Sequence, residues 1–251
     1  DFQLGWDADP EEEKKPERVT PRIQAMLGPE VDFELEWVSV YTFQCRRMAR
    51  FDHGRVLFAG DAAHQVSPFG ARGANSGIQD VDNLMWKLAA VIKAWSPPSL
   101  LHSYSHERGE AADENILNST RSTDFITPKS ASSRAFRDAA LQLAQHHPFA
   151  RKLVNSGRLS VPTHHAHSPL STAADEPYAG WMGPGAPMDD APVMQGGQPA
   201  WLLQHLGGRF ALLLFTDDAA SQQTAQDLAT LQAVAAPAPG LAPQPVVLSA
   251  A

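Results

Sequence analysis

The stretch GDAAHQVSPFGARGANSG, residues 60–77, lies between a short apolar run, RVLFA, and a regular amphipathic pattern, IQDVDNLMWKLAAVIKAW. Its glycines, above all Gly70 and Gly73, allow the backbone to turn sharply and to approach a flat ligand without an intervening side chain. The amphipathic pattern predicts a helix from Asn75 to Trp95. The free N–H groups and the positive dipole end of that helix face the turn. Strand, glycine-rich turn and helix together predict a ligand-binding loop.

Asp61 is the candidate binding residue of this loop, because it directly follows the apolar run. In an open parallel sheet, ligands bind beyond the carboxyl ends of the strands. A carboxylate there is a suitable acceptor for sugar-like hydroxyls. Alternatively, Asp61 only caps the turn DAAH. The phosphate-binding patterns GxGxxG and GxxxxGK[ST] are absent from the sequence, so the pyrophosphate of any dinucleotide must be bound elsewhere.

Composition excludes several classes of protein. The formal net charge is −8 over 251 residues, with no run of basic residues, which argues against nucleic-acid binding. The sequence contains no window of about 18 uninterrupted apolar residues that could span a membrane, and no signal peptide is visible. The single cysteine, Cys45, excludes an intramolecular disulfide and any cysteine-based metal site, and we expect it to be an inert buried side chain. We therefore expect a cytoplasmic protein.

The hydrophobic pattern of the rest of the chain predicts further strands, a second long helix and a connecting segment. The segment DFELEWVSVYTF, residues 32–43, alternates and predicts a half-exposed strand with an aromatic inner face that includes Trp37 and Tyr41. RVLFA predicts a strand central in a sheet. A second long helix is predicted over 99–122, and the region rich in Pro, Gly, Ser and His near 160–199 predicts a surface connection. Residues 201–251 read as strand, helix and strand, which predicts a parallel α/β unit.

These features resemble those of a known family. Residues 55–93, RVLFAGDAAHQVSPFGARGANSGIQDVDNLMWKLAAVIK, are similar to the second flavin-binding motif of the FAD-dependent aromatic hydroxylases. Weaker similarity extends to VYTFQCRR, YSHERGEAADENILNSTRS, GAPMDDAPV and WLLQHLGGRFALLLF, the last two resembling the thioredoxin-like tail of the phenol-hydroxylase branch. The resemblance implies an α/β fold in four parts. They are the end of a substrate-binding domain sheet (1–45), the C-terminal part of an FAD-binding domain with long helices (46–160), a linker (161–199) and a partial thioredoxin-like domain (200–251).

The resemblance also implies roles for the residues of the first turn. Asp61 accepts hydrogen bonds from the ribityl chain of FAD, and Gly60 and Ala62 pack close to that chain. Pro68 lies beside the isoalloxazine, on the side where substrate enters.

Further along the loop, the resemblance implies that Gly73, Ala74 and Asn75 present backbone N–H groups to the N1–C2=O2 edge of the flavin. This role agrees with the dipole argument, because negative charge on that edge is stabilised by a helix N-terminus. The aromatic strand would belong to the sheet above the flavin. Trp37 and Tyr41 there are either substrate contacts or plain core residues.

The chain also departs from the family pattern. It lacks the N-terminal dinucleotide fold with GxGxxG and the middle DG motif, and ERGE (107–110) stands where ERRP is usual. Because it begins without Met and ends on an apolar run, we expect a piece of a longer enzyme, inactive alone and completed by the missing N-terminal part. The tail has no CxxC and should be redox-silent. No catalytic acid or base is identified.

The resemblance implies an enzyme that reduces FAD with NAD(P)H and transfers one oxygen atom of O2 to a phenol-like ring. The preferred nicotinamide, the aromatic substrate and a homodimeric state stay open. Two alternatives remain, a non-enzymatic α/β binding module and a metal-dependent hydrolase that uses His64 and the downstream histidines. We expect no metal site, since His164, His165 and His167 read as an exposed polar loop.

Overall fold

The computed structural model describes residues 2, 4–5, 7–154, 161–172, 180, 182–217, 221–235 and 240–249. The α/β class predicted from the sequence is confirmed. The helices are α1 (Pro10–Glu13), α2 (Pro16–Leu27), α3 (Arg72–Ile92), α4 (Leu100–Ile126), α5 (Ala131–His146), α6 (Pro148–Val154) and α7 (Gln222–Ala235). The strands are β1 (Arg46–Arg47), β2 (Asp52–His53), β3 (Val56–Leu57), β4 (His64–Gln65), β5 (Pro192–Gln195), β6 (Gln198–Trp201), β7 (Ala211–Thr216) and β8 (Gln244–Ser249).

The two long helices α3 and α4 pack against each other and carry the loop of residues 60–77 on one side. Both form where the sequence predicts them. A small apolar core fills the space between α3, α4 and the short strands, and the Tyr104 hydroxyl donates to the Phe58 carbonyl at 2.7 Å. The buried members of this core are Phe51, Ala63, Leu84, Tyr104 and Ala112.

Helix α3 does not bury its most apolar face. The apolar side chains Ile78 and Ile92 are 69% and 74% exposed, and Val81 and Met85 are exposed as well. The side chains that face α4 form the opposite stripe, which is mostly polar: Ser76, Asp80, Leu84, Lys87 and Ala90. The contact between the two helices therefore combines the apolar core with paired charges and hydrogen bonds.

The strand predictions before α3 need correction. RVLFA does not form a central parallel strand, because only Val56–Leu57 pairs, and it pairs antiparallel with Asp52–His53. Residues 32–43 form no strand, since no described segment offers them a ladder of hydrogen bonds. Cys45 is exposed rather than buried.

The C-terminal part confirms the parallel unit. Strands β7 and β8 pair in parallel, with Ala211 opposite Gln244, and α7 connects them. The ring of Phe210 packs edge-on against Trp86 of α3, with 5.1 Å between the ring centroids.

The predicted connection near 160–199 also contains β5, which pairs antiparallel with β6. The division into four parts stays a prediction. Among the described helices, none is both long and apolar enough to cross a membrane.

Candidate functional site

The first turn of the 60–77 loop is a 3-10 helix, Gly60–Ala62, that begins just after β3. Gly60 has a φ of 58°, in the left-handed region that glycine adopts without strain. Asp61 and Ala62 are exposed. The Asp61 carboxylate has no hydrogen-bond partner among the described residues, so the alternative in which it caps the turn is not what the structure shows. Its oxygens are free to accept hydrogen bonds from a ligand.

The two ends of the loop lie against each other. A Cβ built on Gly77, in the second turn of α3, would lie 3.5 Å from the Cα of Gly60. The two backbones can approach this closely because neither residue carries a side chain. The loop is thereby closed at its base, and the residues between Gly60 and Gly77 project from that contact.

The two glycines are expected to respond differently to alanine. Gly60→Ala should lower the free energy of unfolding by about 1–2 kcal/mol, because an L-residue is strained in the left-handed region. Gly77→Ala should be neutral or stabilising by up to about 1 kcal/mol, since its Cβ would make only an ordinary contact and alanine favours the helix. Urea unfolding of the two variants and the wild type measures this, and a Gly60→Ala protein as stable as the wild type would contradict it.

The second part of the loop enters α3. Ala71, the residue before the helix, has φ 52° and ψ 39°, a left-handed conformation that costs about 1–2 kcal/mol for a non-glycine residue. Within the described structure, no side chain caps this helix end, and its first turn contains no acidic residue. The N–H groups of Gly73 and Ala74 in this first turn are therefore available, and no acidic residue of the turn compensates the positive end of the dipole.

The predicted site residues of this second part lie in the first turn of α3, namely Gly73, Ala74 and Asn75. Ala74 and Asn75 are exposed and Gly73 is half-buried. The Asn75 side chain donates to the Ala71 carbonyl at 2.8 Å, so it folds back on the turn. Pro68, earlier in the loop, is exposed. The structure thus places all these predicted positions on one continuous loop.

Trp37 and Tyr41, the predicted substrate contacts, lie on a different segment. They are 72% and 65% exposed, so neither is a plain core residue in this structure. Trp37 meets Tyr41 edge-on at 6.3 Å, and Tyr41 stacks on Phe43 at 6.2 Å. These rings form an aromatic row whose link to the loop stays a prediction.

A buried polar cluster beneath the loop was not predicted from the sequence. We refer to it as the Asp80 cluster, formed by Asp80, His64, Arg108, Ser76 and Asn115. The Asp80 Oδ2 atom accepts the Gly60 N–H at 2.9 Å and lies 2.7 Å from His64 Nε2. The Asp80 Oδ1 atom accepts from Arg108 Nε at 2.6 Å. Asp80 is fully buried, and His64 and Arg108 are 2% and 3% exposed.

The Asp80 cluster continues toward the start of α3. Arg108 Nη2 donates to the Ser76 carbonyl at 3.3 Å and to Ser76 Oγ at 3.2 Å. The Asn115 amide donates to the same Oγ at 3.2 Å and accepts from Arg72 Nη1 at 3.3 Å. Helix α4 is thereby tied to the first turns of α3, directly behind the exposed loop.

Asp80 remains ionised at neutral pH. Burial alone would raise the pKa of its carboxyl, but hydrogen bonds from His64, Arg108 and the Gly60 amide outweigh it and lower the pKa below its ordinary value. A carboxyl with a lowered pKa stabilises the fold above its ordinary pKa, and this contribution is lost as the pH falls through the folded-state pKa. Acid should therefore loosen the base of the loop.

A second buried ion pair joins the same two helices farther from the loop. Lys87 Nζ donates to Glu107 Oε2 at 2.6 Å, and the Asn83 amide donates to the same oxygen at 2.7 Å. The Ser168 hydroxyl donates to Glu107 Oε1. Burial raises the pKa of Glu107, but these donors, led by Lys87, lower it overall. This pair fixes the helices and residues 161–172 without contacting the 60–77 loop.

The histidines do not gather around a metal position. Among the described residues, no group of three or more His, Cys, Asp or Glu side chains could hold a metal ion. The His164 ring bonds to the Pro184 carbonyl at 3.0 Å, and His64 lies within the Asp80 cluster. Burial lowers the pKa of His165. These contacts are structural and do not favour the hydrolase alternative.

Comparison with known proteins shows which proteins this chain is similar to. Residues 2–119 match the family model described as an FAD binding domain. The chain is similar to the probable NADH-specific resorcinol 4-hydroxylase of Rhodococcus jostii strain RHA1, with 48% identity over 107 residues, which are 43% of this chain and 20% of that protein. It is also similar to the 6-methylpretetramide 4-monooxygenase of Streptomyces rimosus, with 32% identity over 230 residues, which are 88% of this chain and 41% of that protein.

Among solved structures, the chain resembles the flavin-dependent monooxygenase PieE in complex with FAD and substrate. The TM-score is 0.71 at 23% identity, over 98% of this chain and 46% of PieE. At that identity the likeness concerns the fold. The chain spans less than half the length of each of these three relatives.

Proposed function

We propose that this chain, which belongs to the FAD-dependent aromatic hydroxylases, forms the flavin-facing part of a monooxygenase. The whole protein would hydroxylate a phenol-like aromatic compound with NAD(P)H and O2. The observation that supports this best is the exposed, unpartnered Asp61 carboxylate on the same loop as the uncapped start of α3. A carboxylate and a row of free N–H groups suit the two chemically different parts of a flavin, its ribityl hydroxyls and its electron-rich ring edge.

The residues of the loop suit FAD in their chemistry. Asp61 would accept hydrogen bonds from the ribityl hydroxyls, and Gly60 and Ala62 would allow the chain to lie close to the turn. Gly60 offers no Cβ there, and Ala62 is exposed. The bound flavin supplies the redox chemistry of the reaction, and this chain holds and orients it.

The start of α3 would set the charge environment of the ring. Gly73, Ala74 and Asn75 would direct backbone N–H groups to the N1–C2=O2 edge, where the dipole stabilises negative charge by about 0.3–1 kcal/mol, and by up to about 2 kcal/mol when partly buried. Pro68 would line the side of the ring where substrate enters. These roles require no acid or base from the loop, and we assign none.

The substrate side would be formed by the aromatic row. Trp37 and Tyr41 present exposed aromatic faces, which suit contact with a flat phenol-like ring. The C-terminal α/β unit would have a structural role. The only cysteine in the sequence is Cys45, far from residues 201–251, so that unit cannot carry out dithiol chemistry.

Replacement of Asp61 tests the binding role. Asp61→Ala should weaken FAD binding by roughly 1.5–3 kcal/mol, about a 10- to 150-fold rise in Kd, because a charged acceptor is lost. The matched control is Asp82→Ala, which removes an exposed carboxylate from the outer side of α3. FAD titration by flavin fluorescence measures both variants.

An unchanged Kd for Asp61→Ala would refute the assignment. A visible absorption spectrum of the full-length protein gives the simplest check of the class, since the binding-module and hydrolase alternatives would lack flavin bands. Loss of binding in both Asp61→Ala and Asp82→Ala would indicate a nonspecific charge effect and also count against Asp61.

A further inference from the structure

We infer that Asp80 is a positioning residue that holds the Gly60–Asp61 turn where Asp61 can meet the ribityl chain, an inference that rests on the proposed function. Asp80 is the acceptor for the backbone N–H of Gly60, the residue directly before Asp61, at 2.9 Å. The bond lies on the protein side of the turn, opposite the exposed Asp61 side chain. Asp80 would act on FAD only through this turn.

The far end of the turn is held by backbone hydrogen bonds, since the Ala63 N–H donates to the Gly60 carbonyl and the Met48 N–H donates to the Ala63 carbonyl, both at 2.8 Å. The end that carries Gly60 and Asp61 has less support. Strand β3 before it contains two residues and pairs only with β2 within the described chain. The 3-10 helix that carries Asp61 has three residues. Such short elements cannot fix the direction of a side chain by their own hydrogen bonds. The hydrogen bond to Asp80 and the contact between Gly60 and Gly77 connect the turn to α3.

This connection fixes the spacing between the two halves of the flavin site. Asp80 lies eight residues beyond Arg72, the first residue of α3, which is about 12 Å along a helix. The Asp61 turn and the uncapped N–H groups are thus both attached to one rigid helix. Two ligand-binding groups on one rigid element keep their separation better than groups on separate loops.

The Asp80 carboxylate is itself held in one orientation. Arg108 Nε bonds to one oxygen at 2.6 Å, and His64 Nε2 lies 2.7 Å from the other. Both partners are almost completely buried, so neither side chain can rotate to another position without leaving a charge or a polar atom unpaired. The oxygen that accepts from Gly60 therefore has a fixed position.

A simpler role would be to hold α3 and α4 together. The Lys87–Glu107 pair already serves that purpose on the same helices and does not contact the turn. It is therefore a natural control, because its disruption loosens the helix contact and leaves Gly60 bonded to Asp80. A positioning role and a purely structural role predict different results for the two sites.

The experiment measures FAD affinity of the whole protein for Asp80→Ala, Asp61→Ala, the double variant and Glu107→Gln. Circular dichroism first establishes that each variant is folded at the temperature of titration. Asp80→Ala should raise the Kd for FAD about tenfold, in line with the loss of a hydrogen bond to a charged group, and Glu107→Gln should leave it unchanged. The double variant should bind no more weakly than Asp61→Ala, because Asp80 acts through Asp61.

The outcomes separate this inference from the proposed function. An unchanged Kd for Asp61→Ala would overturn the proposed function. A weakened Asp61→Ala with a normal Asp80→Ala would overturn the inference alone. Equal losses for Asp80→Ala and Glu107→Gln, or additive losses in the double variant, would also overturn it, since both indicate general destabilisation.

Hydrogen exchange provides a test that does not depend on FAD binding. In the wild-type protein without FAD, the amide of Gly60 should be protected from exchange, because it donates to a buried carboxylate. In Asp80→Ala or, if that protein does not fold, in the milder Asp80→Asn, this protection should fall. Rapid exchange of the Gly60 amide in the wild type would overturn the inference whatever the result with FAD.

Discussion

Replacement of Arg108 by alanine is expected to lower the free energy of unfolding by about 3–5 kcal/mol, because it leaves a buried carboxylate without its counter-charge. Asp80 would keep the Gly60 amide and His64 beside one oxygen, but it would lose the arginine bonded to its other oxygen. The carboxylate cannot reach water to compensate, since it is fully buried. Urea unfolding followed by circular dichroism measures the loss.

The matched control for Arg108→Ala is Asp113→Asn, on the same helix. Asp113 also bonds to an arginine, Arg47, at 2.6 Å, but its side chain is 59% exposed. Surface pairs contribute at most about 1 kcal/mol. If the two variants lost equal stability, the burial of the Asp80–Arg108 pair could not be the reason, and the prediction would be wrong.

The second large effect is expected at Lys87. Lys87→Met removes the only cation bonded to Glu107 among the described residues and should lower the free energy of unfolding by about 3–5 kcal/mol. The double variant Lys87→Met, Glu107→Leu should recover most of this loss, because no buried charge then lacks a partner. Unfolding of the two single variants and the double variant forms a cycle that isolates the pair.

The free energy of unfolding of the Lys87→Met variant should also depend on pH differently from that of the wild type. Without Lys87, burial is the dominant influence on Glu107 and raises its pKa above the value in the unfolded chain. Protonated Glu107 then stabilises the fold at low pH, and this stabilisation is lost as the pH rises through the folded-state pKa. The deficit relative to the wild type should therefore be smaller at about pH 5 than at about pH 8. A deficit independent of pH, or no recovery in the double variant, would contradict the expectation.

The helices were predictable because their signals are local. Periodicity located α3 and α4, and alternating apolar and helical segments located the parallel pair β7 and β8. The strand predictions before α3 were wrong for the opposite reason, since a strand needs a partner from elsewhere in the chain. The short pairing of β3 with β2 and the unpaired aromatic row could not be read from residue patterns.

The inner face of α3 shows a second limit. Two stripes with helical spacing run along this helix, one apolar and one polar, and hydrophobicity alone selects the apolar stripe. The structure buries the polar one, because Asp80 and Lys87 find opposite charges at Arg108 and Glu107 of α4. Complementary charges on two successive helices were the available signal in the sequence. The glycines located the loop itself, but they did not predict its hydrogen bond to Asp80.

The contact between Gly60 and Gly77 has a thermodynamic consequence. Joining the ends of a flexible loop requires entropy to be given up, and the requirement grows with the length of the loop. Here the contact between the two glycines brings the ends together within the folded chain itself. The residues between them also belong to folded elements, with His64 in β4 and the stretch from Arg72 onward in α3, so folding itself meets that entropic requirement. The loop is preorganised, so a larger share of each contact can appear as affinity.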